Sequence, residues 1–198
     1  MRSSFKVGAA LVAALFSATA WAQARPEKLW LLEDTKKQQW CAYTDQQRWE
    51  AEREATDWRT AGTIDFTDGK VSRIFLTVPE DKGEWVVSDT YAVNPMGVIE
   101  SLVRYTDQFK GGFFEKSAYW IEDTQAVLLS REFLTPDDTV LPADPAAKQD
   151  EASHTYHGHL LPDLKVWLHL VDFPFSAFLE KTHTEVWTTG RTCTASVR

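Results

Sequence analysis

The sequence predicts a mainly β protein with minor helix: a curved antiparallel meander sheet or part-closed barrel, with one or two covering helices. Apolar and polar residues alternate between positions 60 and 134, the period of strands with one buried face. Turn signals at Asp68-Gly69 and Asn94-Pro95-Met96-Gly97 cut this stretch into strand-length pieces. The two cysteines, Cys41 and Cys193, stand far apart in the chain, and an even pair in an oxidising compartment is a bridge. That bridge requires the N-terminal segment and the last strand to be neighbours, and it has an entropic ceiling of about 5 kcal/mol.

Residues 1–22 read as a signal peptide. Arg2 and Lys6 form a basic start, Val7 to Phe16 a short apolar core, and Ala20-Trp21-Ala22 a small-residue cleavage site. The apolar run is too short for a stable membrane span. No cysteine stands at the cleavage point to carry a lipid anchor. The expectation is a periplasmic or secreted protein, not membrane-anchored, with residues 23–198 forming one domain. Beyond Ala22 the chain carries 19 basic against 29 acidic residues, a net charge of −10. Such a surface repels phosphate backbones and anionic headgroups, which argues against nucleic-acid partners.

The elements follow in order. Leu29 to Leu32 pack a short element, and Gln39 to Tyr43 is a strand. Residues 45–59 alternate like a strand, but their Ala, Glu, Arg and Gln content favours a helix. Thr60–Thr67 and Lys70–Val78 flank Asp68-Gly69, a two-residue hairpin signal. Glu84–Val93 and Val98–Thr106 flank the turn at 94–97, and Phe113–Glu122 pairs with Ala126–Leu134. Residues 135–152, with Pro136, Pro142 and Pro145, form a long loop. Ser153–Leu161, Lys165–Val171 and Thr182–Thr189 read as strands, with an apolar connector or short helix over 172–181. Gly69-x-Val71-x-x-Ile74 is echoed by Gly97-x-Ile99-x-x-Leu102, a repeat of turn chemistry between strand pairs.

Pairing follows from the turns if neither hairpin is bulged. A two-residue loop at 68–69 sets Phe66 opposite Val71, and a five-residue loop at 79–83 sets Val78 opposite Glu84. Phe75 then faces Val87, Val71 faces Tyr91, and Arg73 faces Asp89. Opposed residues share a face, so one face collects Ile64, Phe66, Val71, Phe75, Trp85, Val87, Tyr91 and Val93. Arg73 and Asp89 meet on it. Exposed at a sheet margin, such a pair contributes about 0–1 kcal/mol. On the floor of an aromatic cavity it would orient a ligand. The candidate ligand-binding residues are therefore Arg73, Asp89, Trp85, Tyr91, Phe75 and Phe66. They suggest a non-enzymatic binding or carrier module for a small apolar or aromatic ligand.

All five histidines lie between positions 154 and 183. His157-x-His159 sets two imidazoles on one side of a strand, and His169 could add a third nitrogen, a Zn or Cu donor set. The bland reading of His-x-His beside Thr155 and Tyr156 is a solvated face. A metal-binding protein is thus one alternative, and a structural or interaction protein of the cell envelope another. G-x-S-x-G, H-E-x-x-H, a phosphate-binding glycine loop and an EF-hand are all missing from the sequence, so no residue argues for catalysis.

Overall fold

A computed structural model describes residues 27–55, 58–79, 85–108, 113–141, 166–179 and 189–195. The expected signal peptide, the strand Ser153–Leu161, and Thr182–Thr189 up to residue 188 lie outside them.

Strands β1 (Lys28–Asp34), β2 (Gln39–Tyr43), β3 (Trp58–Thr67), β4 (Lys70–Pro79), β5 (Trp85–Val93), β6 (Ile99–Gln108), β7 (Phe113–Ile121), β8 (Ala126–Leu134) and β9 (Arg191–Ala195) form one antiparallel sheet. Its order is β8-β7-β6-β5-β4-β3-β1-β2-β9, and it is open rather than closed into a barrel. The meander expected from residue 60 to 134 is its larger part. β9 pairs with β2, so Cys193 sits opposite Cys41 and the two form a disulfide with an S–S length of 2.03 Å.

Local chemistry explains the turns. Asp68 and Gly69 both have positive φ, 52° and 73°, as a type I′ turn requires. The Asn94 side-chain oxygen accepts from the Met96 and Val98 amides at 3.0 Å each, and Gly97 takes the left-handed position with φ 85°. Gly62 is glycine for space: a Cβ there would lie 2.2 Å from the Phe75 carbonyl oxygen of the neighbouring strand.

β1 and β2 are buried on both faces, so each face needs cover. Helix α1 (Gln46–Ala55) lies on one of them. Asp45 caps it by accepting the Arg48 amide at 2.7 Å. Trp49 anchors it by donating its indole N–H to the Leu31 carbonyl at 2.8 Å. On this helix face Leu32, Cys41, Tyr43 and Ala61 pack with Trp49 and Trp58. The segment 166–179 covers the other face and is here called the cap. Its Phe173, Phe175 and Phe178 are buried against Leu29, Leu31, Ala42, Ile64, Ile74, Tyr91 and Leu102. Full burial of such a side chain stabilises by roughly 1.5–3 kcal/mol. Helix and cap lie on opposite faces of the sheet, because the apolar residues of β1 and β2 alternate to both.

The cap also replaces the strand expected over Lys165–Val171. Residues 166–169 are irregular, and 3-10 turns follow at Leu170–Asp172 and Ser176–Phe178. The Trp167 amide donates to the Tyr91 hydroxyl at 3.4 Å instead of to a strand partner. The apolar side chains of this segment therefore fall across the sheet rather than extending it.

The register of the meander differs from the expected one at two places. Asp65 pairs with Arg73 but Phe66 with Val71, so Ser72 is an extra, bulged residue. β4 and β5 then align with Val78 opposite Val87, three residues beyond Glu84. Both are odd shifts, and an odd shift moves a strand's side chains to the other face. Val71 and Ile74 consequently share the cap face, whereas Arg73 and Phe75 leave it. The Gly69 and Gly97 echo has the same cause: Ala92 pairs with Ser101 and Val93 with Ile99, so Glu100 is bulged as Ser72 is. Each copy reads glycine turn, buried apolar residue, bulge, buried apolar residue.

Candidate functional site

The register dissolves the expected Arg73–Asp89 pair. Arg73 lies opposite Ala92 and bonds Asp65 at 2.5 Å, with its side chain 54% exposed. Phe75 lies opposite Thr90, on the face away from Tyr91. Phe66 packs at the margin of the cap-face core, and Trp85 begins β5 opposite Gln108. Asp89 and Tyr91 do lie together on the cap face, under the cap.

Asp89 has a different partner. It stands opposite Arg104 of β6, which donates Nε to Oδ1 and Nη2 to Oδ2, both at 2.7 Å. The side chains are only 10% and 7% exposed, so this is a buried bidentate pair. Burial pulls the Arg104 guanidinium down, but the hydrogen bonds and charge of Asp89 outweigh this and hold it above its ordinary value. Tyr91 reaches Asp89 Oδ2 at 3.5 Å. Burial above all, and then the charge of Asp89, pushes its phenol well above the usual range, so it remains a neutral hydroxyl.

The pair continues as a polar row across the sheet. Arg104 lies opposite Ser117, and Ser117 opposite Arg131. Glu115 accepts from Arg131 Nη2 at 2.8 Å and from Ser117 Oγ at 3.2 Å. Two acids and two arginines thus neutralise one another along β5 to β8. Both oxygens of Asp89 are held by Arg104, which fits an architectural role better than proton transfer.

Beside this row, between sheet and cap, lies a cavity of about 200 Å³. Its apolar wall is Trp40, Leu76, Val78, Trp167, Pro174 and Phe175. Glu33, Arg59, Thr60 and Asp89 supply its polar groups. β1 and β2 set Glu33 directly opposite Trp40, and Thr60 of β3 donates its hydroxyl to Glu33 Oε2 at 2.7 Å. Phe175 packs against Trp40 with ring centroids 4.8 Å apart, which fixes the cap over this end of the sheet.

Of the residues singled out from sequence as ligand-binding, the cavity wall contains Asp89. Leu76 and Val78 enter through the bulge at Ser72, which turns them to this face. Trp40 and Glu33 could have been found from the disulfide, because fixing Cys41 beside β9 fixes the opposite orientation of its neighbour Trp40. Trp167 and Phe175 depend on the path of the cap, for which periodicity holds no signal.

His157 and His159 lie outside the described residues. His169 precedes the first 3-10 turn, its carbonyl accepting the Asp172 amide at 3.0 Å. No group of three or more His, Cys, Asp or Glu placed to hold a metal occurs among the described residues. No helix among them is long and apolar enough to cross a membrane. Comparison with protein-family models, curated proteins and solved structures finds no match.

Proposed function

We propose that the protein is an exported, non-enzymatic binding or carrier module for a small apolar or aromatic molecule, held between the sheet and the cap. The observation that carries this reading is the aromatic-walled cavity of about 200 Å³. An apolar space of about 150 Å³ is enough for benzene, and larger ligands occupy about 300–1,000 Å³. The size therefore suits a single ring or a branched aliphatic chain, not a lipid tail. Export is supported by the signal-like residues 1–22 and by the disulfide, since such bonds persist in oxidising compartments.

Val78 is the residue with which to test it. Its side chain is half-buried on the cavity wall, so Val78→Trp fills the space while β4 keeps its pairing. Calorimetry with 2-phenylethanol and with indole is expected to show binding to the native protein and at least about tenfold weaker binding to V78W, the loss of roughly 1.4 kcal/mol of contact. Circular dichroism should be unchanged. Equal binding by a folded V78W would place the ligand elsewhere and overturn the reading.

A further inference from the structure

Three residues that line the cavity carry a polar group without a counterpart among the described residues. Glu33 accepts the Thr60 hydroxyl but meets no cation. Arg59, the residue before Thr60, is exposed, and its side chain has no ion pair or hydrogen bond among the described residues. Trp40 is 2% exposed, and its buried indole N–H has no acceptor. Buried donors are almost always satisfied in native proteins, and the exceptions often mark functional sites. Thr60 is engaged with Glu33, and Asp89 is already held by Arg104.

One anion, one cation and one donor, gathered around aromatic walls, fit a particular chemistry. We propose that the cavity takes a small zwitterion: an α-amino acid with an apolar or aromatic side chain. This rests on the binding reading above and names its ligand class. The side chain fills the space between Trp40, Trp167 and Phe175. The ammonium pairs with Glu33, beside the Trp40 ring that its strand partner supplies. The carboxylate meets Arg59 and accepts from the Trp40 indole. A simple amine would leave Arg59 and the indole N–H without partners. A simple carboxylate would meet Glu33. A neutral ring would leave all three groups unused.

Four compounds with the same ring separate these cases: phenylalanine, 2-phenylethylamine, 3-phenylpropanoate and 2-phenylethanol. Calorimetry on the full disulfide-bonded protein should find phenylalanine tightest, by about tenfold over each of the others. Glu33→Gln, which can still accept from Thr60, should bring phenylalanine down to the affinity of 3-phenylpropanoate. Arg59→Gln should bring it down to that of 2-phenylethylamine. Circular dichroism of both variants should match that of the native protein, which separates lost binding from lost fold. If phenylalanine binds no tighter than 2-phenylethanol, or is indifferent to both substitutions, the zwitterion is overturned and the apolar-ligand reading stands. If none of the four binds, the apolar-ligand reading falls as well.

Discussion

Replacing Arg104 with methionine is expected to destabilise the protein by about 3–5 kcal/mol, because it strands the Asp89 carboxylate in the core. The two side chains are 7% and 10% exposed, and both carboxylate oxygens depend on the guanidinium. Among the described residues, Tyr91 is the other side-chain donor to Asp89, at a long 3.5 Å. Arg104→Lys should recover part of the loss, since an ammonium keeps the charge but not the two-pronged geometry. The double replacement Asp89→Leu with Arg104→Met should be far less costly than Arg104→Met alone, because it removes both desolvated charges. Urea unfolding midpoints at constant m-value measure all three. A loss under about 1 kcal/mol for Arg104→Met would mean that the pair behaves as an exposed one. The expected pattern would assign the pair to fixing the alignment of β5 and β6 beside the cavity rather than to stability.

Replacing Cys41 and Cys193 with serine is expected to cost about 2–5 kcal/mol. The bridge spans 152 positions, so it removes more unfolded-chain freedom than a short loop would. β9 is only five residues long and half-buried, and it borders β2 at the edge of the sheet. Without the covalent tie it is held by backbone pairing, by the Arg191 guanidinium over the Tyr43 ring at 5.7 Å, and by Arg191 Nε to the Tyr43 hydroxyl at 3.4 Å. Hydrogen exchange should therefore show the amides of 191–195 opening before the rest of the sheet in the serine variant, and with it in the oxidised protein. Uniform protection in both forms would show that pairing alone secures β9.

The strands and turns of this fold were legible because their signals are local. Alternation placed β2 and β8 at their observed ends, and Asp68-Gly69 marked a hairpin that needs two left-handed residues. The disulfide could be inferred from cysteine count and the expected compartment without any strand register. The face of each residue was less accessible, because parity depends on every residue in between. A bulge at Ser72 and a longer β4–β5 connection removed Arg73 and Phe75 from the cap face and brought in Leu76 and Val78. The glycine echo held the information: in a strand fed by a tight turn, Val71 and Ile74 can both be buried only if a residue between them bulges. Arg104 carries no signal of its own, because a mid-strand arginine reads as surface. Only its alignment with Asp89 shows that it is buried. The cap was least legible, since Phe173 and Phe175 owe their positions to contacts with Tyr91 and Trp40, far away in sequence.

The proposed binding function requires a ring-sized molecule to lodge between the sheet and the cap. A methyl NMR titration of the oxidised protein with 2-phenylethanol reports that location directly, through Leu and Val methyl groups. Leu76 and Val78 should show the largest shifts, saturating together with a single affinity, while Val127 and Leu129 on exposed β8 stay still. Shifts confined to β8, or no shift at Leu76 and Val78 at saturating ligand, would contradict binding between the sheet and the cap.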